Sequence, residues 1–567
     1  MPTTANIRTF LWVLLATAVF LNVETWTHDY PGTPAALSGA AAGAQGSLDT
    51  GAPVAGAPAS AGGPTAAVVA TPAPVIAEDA ATGAGTATES APGVHVITDV
   101  LDVEVSLVGG ELTRADLLGY PQAKNTPNVP VRLLNRDSAD SLFVIETGLA
   151  GTNGETAPTH QALLGSDVHE LRLEAGQDQL QLPLHWTDGH GITVTKTLTF
   201  HRGAYRIGVD YQVRNAGTQP WGFAPYARIL RYNEPIPRSY FRVDSYAFKG
   251  PSIWNGRKYQ KLDIFKGATL DETVTNGWIA AQQQHFVVAA VPPSDDPSRF
   301  DLKIAGKQFL LSSTGGARTV APGASADVAA TLWVGPKLQS QLDQVGPNLS
   351  LVADYGQLSV LAKPLFWLLE RVHGIVGNWG FTIIIVTLLL KVLFYPLSEA
   401  SGRSMAKMKE LGPRITNLRE TYKDDREKLN RATMELYQRE KINPLAGCLP
   451  MLIQIPVFLA FYWVLRDSVE IRQAPFMLWI NDLSARDPLF VLPAIMAGAM
   501  FVQYKLNPQV GDPMQQKVFM IMPLAMSVTF AFFPAGLVLY WVTNTLLSIL
   551  QQWNINRRIG AAALAKR

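Results

Sequence analysis

The sequence predicts a multi-domain membrane protein. It has an all-β sandwich outside the membrane and an α-helical membrane bundle of five core transmembrane helices, with an N-terminal anchor helix before both. Three observations carry this reading. Charged residues make up only 16% of the chain, against roughly 25% in soluble domains. Between residues 93 and 336, short stretches alternate apolar and polar residues with period two, the signature of half-buried strands. Beyond residue 376 the apolar runs lengthen toward the size of a bilayer span.

Taken in order, residues 1–30 carry Arg8 and then "TFLWVLLATAVFLNV", with no small-residue cleavage pattern close behind. That reads as an uncleaved signal anchor, with Trp26 and Tyr30 suited to the far interface. Residues 31–92 are rich in Ala, Gly, Pro, Ser and Thr; they cannot bury a core and make a flexible linker. Residues 93–345 form the β domain. Its strands include "VEVSLVG", "LRLEAG", "LQLPLHW", "ITVTKTLTFHRG", "YRIGVDYQVRN" and "ADVAATLWVG", separated by turns such as "TDGHG" and "NAGTQP". In 359–376, Leu365, Leu368, Leu369, Val372 and Val376 share a helical face and Lys363, Glu370 and Arg371 fall elsewhere. This predicts an amphipathic helix at a membrane surface.

The spans follow. The second transmembrane helix is 379–398, the cytoplasmic helical hairpin 399–443, and four further transmembrane helices occupy 444–555. The hairpin has an interruption at Gly412-Pro413, a turn at "YKDD" and a capping-box spacing from Asp424 to Glu427. Its many cations and the basic tail 556–567 contrast with the loop 467–487, whose only cations are Arg472 and Arg486. Cationic loops stay in the cytoplasm, so both termini are expected inside and the β domain in a periplasm.

One residue breaks the apolar pattern. Lys391 stands inside "TIIIVTLLLKVLFYPL", and no span contains an acid to neutralise it. A lysine mid-bilayer costs at least ~2.5–3.5 kcal/mol on insertion scales. Thr387, Lys391 and Tyr395 have i, i+4, i+8 spacing, which puts them on one face of a continuous helix. The expectation is a wet cavity open to the cytoplasm with Lys391 in it; the alternative is a lysine snorkelling to nearby headgroups. Gln454, Trp541, Thr543 and Asn544 are the isolated polar residues of other spans, and Trp541 and Asn544 share a face.

The stretches "VGNWGFTIIIVTLLLKVLFYPL", "SMAKMKELGPRI", "NPLAGCLPMLIQIPVFLAFYWVL", "SVEIRQAPFMLWINDLSARDP", "DPMQQKVFMIMP" and "FPAGLVLYWVTNTLLSILQQ" strongly resemble the YidC-type membrane protein insertase family. The likeness covers 359–555, and the β domain resembles that of the Gram-negative long form, implying a supersandwich-like fold. The resemblance implies insertion and chaperoning of inner-membrane proteins through a hydrophilic groove open to cytoplasm and lipid, alone or with the Sec translocon. It implies Lys391, Thr387, Gln454, Trp541 and Asn544 as groove residues. The family's groove cation is usually arginine, so Lys391 departs from it and keeps the charge without the planar fork. Implied partners are nascent membrane proteins, the Sec translocon, membrane lipids, and a ribosome or signal-recognition receptor at the hairpin, with no direct nucleic-acid recognition.

No catalytic residue, metal site or cofactor is expected. There is no nucleotide-binding glycine loop, and the single cysteine, Cys448, cannot form an intramolecular disulfide. Two rival functions have weaker support. A secondary transporter calls for acids or broken inverted repeats at midplane. An envelope enzyme would use His185, Asp188 and His190 in "LPLHWTDGHG", which otherwise reads as a β-hairpin tip turned by Asp-Gly.

Overall fold

A computed structural model describes residues 92–152, 154–235, 247–353, 355, 358–423, 425–440, 449–506, 520–521 and 525–564. The expected anchor, nearly all of the linker, Asp424 and Cys448 lie outside the described residues. The chain divides into two compact units. One contains Gln45–Asp354 with Asp467–Glu470; the other contains Tyr355–Arg466 and Ile471–Arg567.

In the first unit an eleven-stranded and an eight-stranded sheet share a hydrophobic core. Four of the alternating stretches build one half of the smaller sheet, while "VEVSLVG" and "LRLEAG" fall in the larger. Gln179–Thr187, Ile192–His201, Arg206–Asn215 and Ser325–Pro336 lie side by side, antiparallel throughout. Leu182, Leu184, Val194, Leu198, Ile207 and Val209 point inward, as a period of two requires.

The centre of the larger sheet is different. Phe143–Gly151 and Trp221–Tyr232 pair with each other and are buried on both faces. Burying two faces of a strand leaves charges that must be matched within the fold. Glu146 pairs with Arg228 and, at 3.2 Å, with Arg136, which also reaches Glu111 at 2.6 Å. Arg228 Nη2 lies 2.6 Å from His160 Nε2, and His160 Nδ1 lies 2.8 Å from the Tyr226 hydroxyl. A guanidinium only donates, so His160 Nε2 is the acceptor in its contact with Arg228.

Lys196 sits in the inward phase of its strand and is wholly buried. Its ammonium donates to the carbonyls of Gly109 at 2.8 Å, Gly110 at 2.9 Å and Thr147 at 3.2 Å. All three hydrogens are therefore spent on the backbone. Burial pushes its pKa down to about 7, opposed by the charge of Glu111.

The second unit is helical: α1 Ser359–Val376, α2 Trp379–Leu393, α3 Tyr395–Glu410, α4 Gly412–Thr421, α5 Arg426–Arg439, α6 Leu449–Asp467, α7 Val491–Leu506 and α8 Ala535–Leu564. α8 packs against both α2 and α7. The core joins Ile383 and Val386 of α2, Phe461 and Val464 of α6, Met496 of α7 and Leu537, Val538 and Tyr540 of α8. α1 adds Ala362, Leu365, Phe366 and Leu369 to that core, a face rotated from the expected one. Its other side leaves Val360, Trp367 and Ile375 exposed.

Among the described residues no single helix is long and apolar enough to cross a membrane; α2 with Tyr395–Ser404 of α3 meets that test as a pair bent by 61°. The bend corrects the expected continuous helix 379–398. The break falls at Phe394, and Pro396 stands in the first turn of α3, where its ring and missing N–H prevent the α2 ladder from continuing. Tyr395 begins α3 beyond the bend, so its spacing from Lys391 no longer places the two on one face. Two further boundaries move. The cap of α5 is Asp425, whose carboxylate accepts from Lys428 N at 3.0 Å, rather than Asp424. The segment expected as a basic tail from 556 continues α8 as far as Leu564.

α4 and α5 form a hairpin closed by Leu411, Ile415, Leu436 and Tyr437. Arg414 and Glu440 pair across it at 2.8 Å.

Candidate functional site

α2 starts from a fixed point. The Asn378 side chain accepts from Phe381 N at 3.1 Å and donates to Phe476 O at 3.0 Å. It thus caps one helix and ties it to the loop between α6 and α7. Gly380 makes the approach possible, since a Cβ there would lie 1.9 Å from the Phe476 ring.

That loop holds its shape through two aspartates. Asp482 accepts from Ser484 N at 2.8 Å and Ser484 Oγ at 2.6 Å. Asp487 is buried and accepts from Trp479 Nε1 at 3.0 Å, Leu489 N at 3.0 Å and Leu492 N at 2.7 Å. The loop then satisfies the start of α8. Ala535 N donates to Ala485 O at 2.7 Å, and Gly536 N to Leu483 O at 2.9 Å. These are donors that a helix N-terminus cannot bond internally. A Cβ on Gly536 would stand 3.1 Å from Leu483 O. "NDLSARDP" and "FPAG" are therefore two halves of one joint.

α2 and α8, so fixed, bring Lys391 to the side of α8. Lys391 Nζ donates to Ser548 Oγ at 2.7 Å, and Ser548 Oγ donates to Asn544 O at 2.7 Å. No carboxylate pairs with Lys391 among the described residues, and Ser548 is its single hydrogen-bond partner there. Among the described residues, two ammonium hydrogens are left without a protein acceptor. Lys196, with all three hydrogens bound, shows what a purely structural buried lysine looks like in the same chain.

The other expected residues are distributed as follows. Asn544 is buried on α8 and joins Lys391 through its main-chain carbonyl. Thr387 is buried one turn before Lys391, with its hydroxyl donating to Ile383 O at 2.6 Å. Gln454 of α6 hydrogen-bonds with the Tyr540 hydroxyl. The Trp541 ring packs edge-on against Phe458 at 4.7 Å and tilted against Phe530 at 5.1 Å. The structure thus joins Lys391 and Asn544, and adds Ser548, which the sequence pattern alone did not single out. Its signal was present: Ser548 follows Asn544 by four residues and so shares its face.

The candidate enzyme residues of the β unit are otherwise engaged. Asp188 Oδ1 accepts from His190 N at 2.7 Å and Ile192 N at 2.9 Å. Gly189 and Gly191 on either side of His190 take positive φ of 74° and 110°. His185 Nδ1 lies 3.2 Å from the Thr195 hydroxyl across the same hairpin. Asp188 builds the turn.

Comparison with known proteins covers both units. Residues 371–562 match the family of the 60Kd inner membrane protein, and residues 93–368 match the YidC periplasmic domain. A membrane protein insertase YidC of Thioalkalivibrio sulfidiphilus is 45% identical over 98% of this chain and 99% of its own length. A membrane protein insertase YidC of Methylococcus capsulatus is 46% identical over 83% of this chain and 86% of its own. Among solved structures, an active YidC insertase with its first transmembrane domain resolved aligns over 82% of this chain and 92% of that one, at 18% identity and a TM-score of 0.36. So loose a superposition bears on neither fold nor site.

Proposed function

Because this chain belongs to the YidC family of 60Kd inner membrane proteins, we propose that it is a membrane protein insertase and chaperone whose polar groove is centred on Lys391. It is an inner-membrane protein with a periplasmic β-sheet domain and a helical C-terminal region. The observation that carries the proposal is the unsaturated ammonium of Lys391. Holding a charge among Ile, Leu and Val residues is costly, and among the described residues one hydrogen of three finds an acceptor. The remaining two suit an acceptor brought by something else.

The acceptor is the short acidic end of a client chain. It enters from the cytoplasm, and Lys391 offsets part of the cost of removing its carboxylates from water. The client's apolar segment moves into lipid beside the helices, driven by burial of its surface. Support for a lipid-facing exit comes from Leu388, Leu389, Val392 and Leu393, all exposed on α2, and Leu546 and Leu550 on α8; so much bare apolar surface is unusual against water. The transmembrane potential adds about 2.3 kcal/mol per charge per 100 mV to outward movement of an acidic end. Both termini lie in the cytoplasm in this reading. The α4–α5 hairpin meets a ribosome or targeting receptor, and the Sec translocon is a further partner.

Reconstitution tests the activity. The purified full chain in liposomes, offered a single-span client with an acidic translocated tail, is expected to protect that tail from protease severalfold above empty liposomes. Protection no greater than in empty liposomes contradicts stand-alone insertion.

A further inference from the structure

We propose that Ser548 is a positioning residue that sets where the Lys391 charge meets a client's acidic group; this rests on the insertase reading above. The hydroxyl of Ser548 has one proton, and that proton is committed to the Asn544 carbonyl one turn back at 2.7 Å. Its lone pairs are then left facing outward from α8, and Lys391 Nζ occupies one of them at 2.7 Å. An acceptor locked in this way sits on a rigid helix, while a lysine stem has four rotatable bonds to restrain.

A competing position exists for the ammonium. Lys391 lies in the last turn of α2, which ends at Leu393. Helix C-termini carry unbonded carbonyls and partial negative charge, and they attract a cation from that last turn. Without Ser548 the stem folds back on its own helix end. With Ser548 the charge is held across to α8, and two hydrogens remain for a carboxylate. Ser548 is thus an orienting group for the charge, with no direct contact with the client required of it.

Two measurements on the full chain test this. In proteoliposomes, the ratio of insertion of an acidic-tailed client to that of the same client with a neutral tail is expected to fall about tenfold or more in Ser548→Ala, the effect of losing one hydrogen bond to a charged group. Ser548→Thr, which keeps the hydroxyl, restores it. An equal loss for both clients, or no change in the ratio, overturns the positioning role. The second measurement needs no insertion. Lysines are ¹³C-methylated, and the Lys391 signal is assigned by its absence in Lys391→Arg. The signal is expected to lie apart from the mobile lysines in the native protein and Ser548→Thr, and to merge with them in Ser548→Ala. A signal that stays in place in Ser548→Ala overturns the proposal. If Lys391→Ala leaves the insertion ratio at its native value, the charge reading of the function fails, and the resonance alone decides whether Ser548 holds the ammonium.

Discussion

Lys391→Glu is expected to lower insertion of an acidic-tailed client by more than about tenfold, equivalent to at least ~1.4 kcal/mol, while Lys391→Arg retains most of the activity. The substitution replaces attraction by repulsion in a setting where charge is weakly screened. Lys391→Ala falls between them, since it removes the attraction without adding repulsion. Arg keeps the charge and reaches as far, and its extra donors find the same hydroxyl. Protease protection of the client's tail in proteoliposomes gives all four values. Equal insertion by native, Ala and Glu forms makes Lys391 a structural or snorkelling residue.

Asp487→Ala has the largest expected effect on the fold of the helical unit. Three donors, Trp479 Nε1, Leu489 N and Leu492 N, lose their acceptor together. Leu492 N is buried and the other two donors partly so; a buried donor left unmatched costs about 1–3 kcal/mol, so a loss on the order of 3 kcal/mol is expected. The damage spreads, because the same loop supplies carbonyls to Ala535 and Gly536 at the start of α8. Trypsin cleavage after Arg472 reads the state of the loop away from the substituted position. The native protein resists, and Asp487→Ala is cut faster by at least about tenfold if loop opening limits cleavage. Asp487→Asn retains one oxygen and lies between. Unchanged cleavage in Asp487→Ala means that the loop is held by other contacts.

The parts legible in the sequence are those where one periodicity governs. Gln179–Thr187 alternates because one face is wet, and its inward residues follow from the alternation alone. Phe143–Gly151 and Trp221–Tyr232 escape that reading, since both faces are buried and Glu146, Arg228 and Arg231 occupy positions that look solvent-directed. Glu146 and Arg228 pair with each other and Arg231 donates to the Gln282 carbonyl, partners distant in sequence that pattern cannot pair. Lys196 was legible in principle. It keeps phase with Ile192, Val194 and Leu198, the same anomaly that singles out Lys391. Sequence could not say which of these two lysines is saturated, because the Gly109, Gly110 and Thr147 carbonyls are brought by other strands and turns. The break after Leu393 was legible in Pro396, yet the unbroken apolar run hid it.

The central claim is that the Lys391 charge acts on the client's tail, and charge exchange tests it most directly. Native protein and Lys391→Glu are each offered two clients that differ only in having aspartates or lysines in the translocated tail. The membrane potential is dissipated so that it does not favour either sign. The account predicts a crossover: native protein prefers the acidic tail, and Lys391→Glu inserts the basic tail better than native protein does. The same preference order in both proteins contradicts it.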